Sequence, residues 1–144
     1  MEMLPTNLVV RPGSERDYPS IARMQQLCPE AAQWPVGDYS AYRMLVALVD
    51  STAAGFCAWR QTSPEEAELL NLGVDPAMRR RGVASALLKA LGSLATGDIF
   101  LEVAEPNAAA IALYRAHGWE QTGLRPGYYH QGTINAVVMK KGSW

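Results

Sequence analysis

A segment ending in Leu72-Gly73-Val74-Asp75-Pro76 runs almost directly into Arg79-Arg80-Arg81-Gly82-Val83-Ala84 and then into a stretch of helical periodicity. This succession of strand, basic turn and helix constrains the fold more than any other part of the chain. Val83, Ala86, Leu87, Ala90, Leu91 and Leu94 recur at helical spacing, so a helix from Gly82 to about Ala95 lays one apolar stripe against a sheet. Phosphate oxygens call for several converging backbone N–H groups, which a helix N-terminus supplies along with a positive dipole end. Gly82 and Ala84 permit close backbone approach, and three arginines add fixed donors. The turn therefore reads as a pyrophosphate cradle or, in the plainer alternative, as a solvated basic turn before a surface helix. It is not a Walker loop, since no Gly-Lys-Ser/Thr ends it, nor a dinucleotide fingerprint, since the first glycines are missing.

Leu8 to Arg11 reads as a strand, and Ser14 as the cap of a helix carrying Ile21, Met24, Leu27 and Cys28 on one face and ending before Pro29. Glu30 to Asp38 forms a loop leading to a short helix near Tyr39 to Met44. Strands follow over Leu45 to Asp50, Ala53 to Gln61 and Glu66 to Val74, with turn signals at Asp50-Ser51 and Ser63-Pro64 that favour antiparallel hairpins. Beyond the central helix come a strand over Ile99 to Ala104, a helix from Asn107 to His117 closed by Gly118, and strands over Trp119 to Tyr129 and Thr133 to Lys140. The order β-α-α-β-β-β-α-β-α-β-β specifies an α/β fold on a mixed sheet.

At 144 residues, with 49% hydrophobic and 19% charged side chains and no linker or repeat, residues 1–144 are expected to form a single domain. A net charge of −1 argues against a nucleic-acid surface, for which one arginine triplet is too small a basic face. Neither a signal peptide nor an apolar run of membrane-spanning length is visible, so a cytoplasmic protein without membrane partners is expected. Cys28 and Cys57 have no spacing suited to zinc or a disulfide, so no metal is expected and both read as buried thiols.

Two residues stand out as candidates for proton chemistry. Glu102 alternates with Leu101 and Val103 and shares a strand face with Phe100 and Ala104, where a carboxylate is costly to bury; it is either a general base or a charge reaching solvent from a strand end. Tyr114 lies on the helix that starts at Asn107, beside Ala110 and Ile111, and is either a phenol poised near a forming anion or a packed core residue. His117, at a helix end, and His130, in a turn, read as surface residues.

Three segments carry a resemblance: Leu72 to Ala84; Leu101-Glu102-Val103 through Asn107-Ala108-Ala109-Ala110-Ile111-Ala112-Leu113-Tyr114 to Gly118-Trp119; and Tyr128-Tyr129 with Ala136-Val137-Val138-Met139. Together they resemble the GCN5-related N-acetyltransferase (GNAT) superfamily and, within it, the RimI-type ribosomal-protein alanine N-acetyltransferases. The resemblance implies a strongly twisted central sheet with helices on both faces and acetyl-CoA as cosubstrate, with no metal. It assigns the backbone of Leu72, Gly73 and Val74 to the thioester and pantetheine. Arg79, Arg80, Arg81, Gly82, Val83, Ala84 and Ser85 fall to the pyrophosphate, and Asn107 to the pantetheine arm as well as to its helix cap. It makes Glu102 the general base, Tyr114 the acid that protonates the leaving thiolate, and Trp34, Tyr128 and Tyr129 the walls of a groove for a peptide N-terminus.

The implied acceptor is a protein N-terminal α-amine, a ribosomal protein being one such partner, and the alternatives are a small-molecule amine or a non-catalytic acyl-CoA-binding module. Retention of both Glu102 and Tyr114 speaks against the last, because binding alone needs neither. An α-amine, with a reference pKa of roughly 7.8 against 10.4 for lysine, needs about 3.5 kcal/mol less to become a neutral nucleophile. Two positions depart from the family pattern, which commonly has Arg after Leu-Glu-Val and an acid just before the last strand's Ala: this chain has Ala104 and Asn135.

Overall fold

The computed structural model describes residues 7–28 and 31–141, and the side chains of Tyr129 and His130 lie outside the description. Among the described residues the strands are β1 (Leu8–Pro12), β2 (Arg43–Val49), β3 (Thr52–Ser63), β4 (Glu66–Val74), β5 (Asp98–Ala104), β6 (Glu120–Tyr129) and β7 (Ile134–Lys141). The helices are α1 (Tyr18–Leu27), α2 (Val83–Leu94) and α3 (Ala108–Ala116). Sheet order is β1-β2-β3-β4-β5-β7-β6. β4 and β5 run parallel, whereas β1–β2, β2–β3, β5–β7 and β6–β7 are antiparallel, which gives the expected mixed sheet. One element differs from the sequence reading: the short helix expected near Tyr39 to Met44 is a 3-10 helix over Val36–Ala41, and Arg43 and Met44 already belong to β2. Tyr39 is buried in that 3-10 turn, and the Arg43–Trp59 and Met44–Ala58 pairs draw the next residues into the ladder.

The chain divides into two compact units, Met1–Trp59 with Asn71–Ser93, and Arg60–Leu70 with Leu94–Trp144. In the first, Ile21 and Met24 of α1 join Tyr39, Met44, Phe56 and Ala58 in a buried apolar cluster. Phe56 faces α1, so its neighbour Gly55 points to the other side of β3, and there α2 packs. A Cβ at Gly55 would come within 2.7 Å of Val83 Cγ1 and 3.2 Å of Leu87 Cδ1, so the missing side chain lets the start of α2 seat directly on the strand.

In the second unit, parallel pairing runs through Glu66–Asp98, Ala67–Ile99 and Glu68–Phe100. Ile99, Leu101 and Val103 are buried while Phe100 and Glu102 are half-buried, which is the period-2 pattern of a strand with one packed face. The turn before β5 needs Gly97, because φ is +77° there and a Cβ would lie 2.0 Å from the Glu65 carbonyl oxygen. α3 ends in a full Schellman motif: Gly118 (φ +88°) donates its N–H to the Arg115 carbonyl and Trp119 to that of Tyr114. No helix among the described residues is long and apolar enough to cross a membrane.

Candidate functional site

Asp75 sets the path out of β4 in the first unit. It is buried, donates its N–H to the Ala54 carbonyl, accepts the Ala77 N–H on Oδ1 at 2.9 Å and pairs with Arg23 at 3.2 Å. A 3-10 turn over Pro76–Met78 follows, and then an unusual backbone: Arg80 (φ +65°) and Gly82 (φ +77°) both lie in the left-handed region. For a residue with a side chain this conformation costs about 1 kcal/mol or more, and it persists where surrounding structure or function demands it. Left-handed residues set between right-handed ones are the backbone from which anion-binding nests are built, and α2 begins immediately with Gly82 accepting the Ala86 N–H. Arg79, Arg80, Arg81, Gly82 and Ser85 are exposed, Ala84 is half-buried, and Val83 is the buried anchor on Gly55. A Cβ built on Gly82 meets no protein atom within 4 Å, so the nest opens to space that a ligand can take.

Two of the backbone groups expected to meet pantetheine are already engaged. Leu72 donates its N–H to Asn71 Oδ1 at 3.0 Å, and the Val74 carbonyl accepts the Cys28 thiol at 2.8 Å. That narrows the expectation, since the Leu72 N–H is spent within the protein while the Val74 carbonyl keeps a second lone pair. Gly73 is required by packing: its absent Cβ would sit 2.8 Å from the Phe56 ring.

The Asn71 side chain is buried and uses all of its capacity, accepting from Ala32 N–H as well as Leu72 and donating to the Ala32 carbonyl and the Tyr39 hydroxyl. The Tyr39 hydroxyl donates in turn to Gln25 Oε1, and Gln25 Nε2 donates to the Trp34 carbonyl at 2.9 Å. Burial pushes the Tyr39 phenol up to about 12, opposed by the Asn71 hydrogen bond, so the network stays neutral. It ties the loop of Trp34 to the end of β4. The Trp34 ring is half-buried against Tyr39 and Tyr42, with centroids 5.0 and 5.6 Å away, so it packs on the core as well as bordering solvent.

In the second unit Glu102 is not the lone charge that an apolar strand suggested. Arg125 Nη2 of β6 lies 2.8 Å from its Oε1, and the same guanidinium sits 4.8 Å over the ring of Tyr128. Oε2 of Glu102 is buried and has no hydrogen-bond partner among the described residues. Glu102 also borders a shallow hollow of about 330 Å³, together with Phe100, Val138, Thr62 and Glu68. Asn107 caps α3, its Oδ1 accepting the Ala110 N–H at 3.2 Å. Tyr114 is buried 5.7 Å from the Trp119 ring, whose Nε1 is buried with no partner among the described residues. His117 is half-buried rather than fully on the surface, with Nδ1 2.8 Å from the Leu113 carbonyl oxygen. Tyr128 is 49% exposed, and the backbone of Tyr129 pairs with Ile134. Cys28 and Cys57 are buried thiols that form no disulfide with each other, and burial raises the Cys57 thiol to about 12.

The candidates thus fall into two groups: Trp34, Leu72–Val74 and Arg79–Ser85 in the first unit, and Glu102, Asn107, Tyr114 and Tyr128 in the second. Sequence reasoning missed Asn71, Gln25, Gly55 and Arg125. Only Asn71 left a trace, as a polar residue amid Leu69, Leu70 and Leu72.

The profile of the Acetyltransferase (GNAT) family matches residues 14–119. The N-alpha-acetyltransferase RimI of Mycobacterium tuberculosis is 41% identical over 91 residues, which cover 62% of this chain and 58% of that protein. The [ribosomal protein bS18]-alanine N-acetyltransferase of Salmonella typhimurium is 39% identical over 104 residues, 68% of this chain and 70% of the relative. The match reaches only 25% of the length of an uncharacterized Mycobacterium leprae protein. Among solved structures, the ribosomal-protein-S18-alanine N-acetyltransferase of Escherichia coli superposes with a TM-score of 0.81 at 26% identity, covering 95% of this chain and 94% of that one.

Proposed function

Because the chain belongs to the acetyltransferase (GNAT) family, we propose that residues 1–144 act as one acetyl-CoA-dependent N-acetyltransferase domain whose acceptor is a protein N-terminal α-amine. The observation that carries the cofactor assignment is the backbone of Arg80 and Gly82, two left-handed residues ahead of α2 with open space at Gly82. A pyrophosphate fits that chemistry, since the N–H groups of the turn and of the first α2 residues present donors and partial positive charge, and Arg79 to Arg81 neutralise the anion. The edge of β4 at Leu72 to Val74 supplies peptide groups for the pantetheine arm, less the Leu72 N–H that Asn71 has taken. Asn107 adds a side-chain amide to that arm.

Glu102 takes a proton from the acceptor ammonium, which leaves a neutral amine to attack the thioester carbon directly, with no covalent enzyme intermediate. Tyr114 returns a proton to the departing sulfur. The family resemblance assigns Trp34, Tyr128 and Tyr129 to the acceptor's approach. The choice of acceptor rests on the two N-terminal acetyltransferase relatives and on the lower basicity of an α-amine, which one carboxylate can deprotonate more readily than a lysine. A ribosomal protein is the acceptor those relatives suggest.

Incubation with acetyl-CoA and a panel of N-terminal peptides, with lysine-blocked and N-terminally blocked controls, tests the reading. Acetylation of lysine-blocked but not N-blocked peptides is expected. Transfer to small amines alone makes the protein a metabolite acetyltransferase, and acetyl-CoA binding without transfer to any amine makes it a binding module.

A further inference from the structure

Arg125 belongs to no expected motif, yet its side chain makes two contacts of different kinds. It pairs with Oε1 of Glu102 at 2.8 Å and lies 4.8 Å over Tyr128. The sheet explains the reach. β7 runs between β5 and β6, Glu102 stands opposite Val138, and Arg125 stands opposite Ala136. Paired residues point to the same face, so the arginine crosses β7 diagonally, over a residue too small to obstruct it. The irregularity between Arg125 and Tyr129 then brings Tyr128 up beside the guanidinium.

A glutamate carboxyl turns easily about its last torsion, and its two oxygens are interchangeable until something distinguishes them. Here they are distinguished. Oε1 is held by a charged donor, whereas Oε2 is buried and without a partner among the described residues. A buried acceptor left bare is costly, and the cost is recovered when a donor arrives. We propose that Arg125 is a positioning residue for acetyl transfer: by fixing Oε1 of Glu102 and stacking on Tyr128, it reserves Oε2 as the atom that receives the acceptor's proton and sets that atom relative to the acceptor wall. In the step itself an N–H bond of the ammonium breaks, an O–H bond forms at Oε2, and the nitrogen lone pair is released for attack. An ion pair with 54% of the arginine exposed adds little stability, so a purely structural part for Arg125 predicts almost no change in turnover when it is lost. The proposal rests on the reading of Glu102 as the base.

The experiment places Arg125→Gln and Arg125→Lys in the parent and in Glu102→Gln. Each is assayed with acetyl-CoA and the peptide best acetylated in the panel above, with acetyl-CoA affinity by calorimetry and folding by thermal unfolding. Arg125→Gln is expected to lower kcat about tenfold, a fraction of the roughly 100- to 10,000-fold that a general base supplies, with KM and acetyl-CoA affinity within about twofold. Arg125→Lys, which keeps the charge and loses the planar fork, is expected to recover part of the loss. In the Glu102→Gln background Arg125→Gln is expected to change kcat by less than about twofold, because the atom it orients is gone. Unchanged kcat in the single variant, an equal drop in both backgrounds, or a rise confined to KM each overturns the positioning role and leaves Glu102 as base. Full turnover by Glu102→Gln alone instead overturns the base assignment, and the positioning role with it.

Discussion

Asn135 donates from Nδ2 to Oε1 of Glu105 at 3.2 Å, so the residue standing where a RimI-like chain commonly carries an acid is itself bound to an acid. Its Oδ1 accepts the Gly127 N–H at 3.0 Å, and the Glu105 N–H donates to its backbone carbonyl. An amide donates to one of these partners while accepting from the other, which an ionised carboxylate in its place cannot do. The departure from the family pattern is therefore matched within the chain: Asn135 and Glu105 are complementary, and together they hold the bend of β6 that carries Tyr128.

Asn135→Asp puts two carboxylates in contact while keeping the acceptor for Gly127. A stability loss of about 1 kcal/mol is expected near neutrality, small because the pair is exposed. Adding Glu105→Gln should recover most of it. Urea unfolding of the two single variants and the double variant measures both.

Gly82→Val tests the pyrophosphate nest. A Cβ there meets no protein atom within 4 Å, yet φ is +77° and a β-branched residue resists that conformation. Acetyl-CoA affinity should fall about tenfold or more as the backbone shifts and the open space fills, with loss of stability of about 1–2 kcal/mol. Calorimetry on the folded variant reads the first, and unchanged affinity removes the loop from the cofactor site.

Tyr114→Phe keeps the ring against Trp119 and deletes only the hydroxyl. If the phenol delivers the proton to the leaving sulfur, kcat falls by roughly 100-fold while acetyl-CoA affinity holds, since the group is needed only as thiolate forms. Steady-state kinetics with binding measured separately decides it, and near-full turnover makes Tyr114 a packing residue.

Acid should weaken the first unit at a definable place. Arg11 grips Asp17 with two hydrogen bonds of 2.9 Å, and Ser14 N–H adds a third. The Arg11 guanidinium holds the Asp17 carboxyl below its ordinary value of 3.8, against burial that acts to raise it. Since the folded value is the lower one, the contribution is fully present above the unfolded value and disappears as pH falls through the folded one. It amounts to about 1 kcal/mol, because the arginine side chain is 43% exposed and solvent screens the pair. Urea unfolding at pH 7 and pH 2.5 should show a larger acid loss for the parent than for Asp17→Asn, and equal losses discount the pair.

Much of the order of elements was legible because residue spacing records it: alternation in β5, a period near 3.6 in α2, and Gly118 where α3 needs a left-handed residue. The 3-10 turn at Val36–Ala41 was less so, since Met44 and Leu45 are buried whether they belong to a helix or a strand, and cross-strand pairing with Cys57 and Ala58 decides it. Residues of the candidate site that lie in a contiguous motif could be named in advance. Arg125 could not, because its meeting with Glu102 depends on register across three strands, and a single arginine in β6 carries no sign of that. Gly55 was equally silent, since its requirement comes from Val83, distant in sequence and adjacent only in the folded protein.

Neither compact unit is continuous in sequence, and this bears on how the chain is made. The unit containing α1 and α2 cannot close until Ser93 has emerged, yet Arg60–Leu70, synthesised in the middle of it, belongs with strands that do not exist until after Leu94. The first half of β4 can meet β3 at once, but its other edge, over Glu66 to Glu68, must wait for β5 to be translated. A chaperone or the ribosome surface is most needed in that interval, and synonymous codons that slow translation between Asn71 and Asp98 should lower the soluble yield of an otherwise unaltered protein.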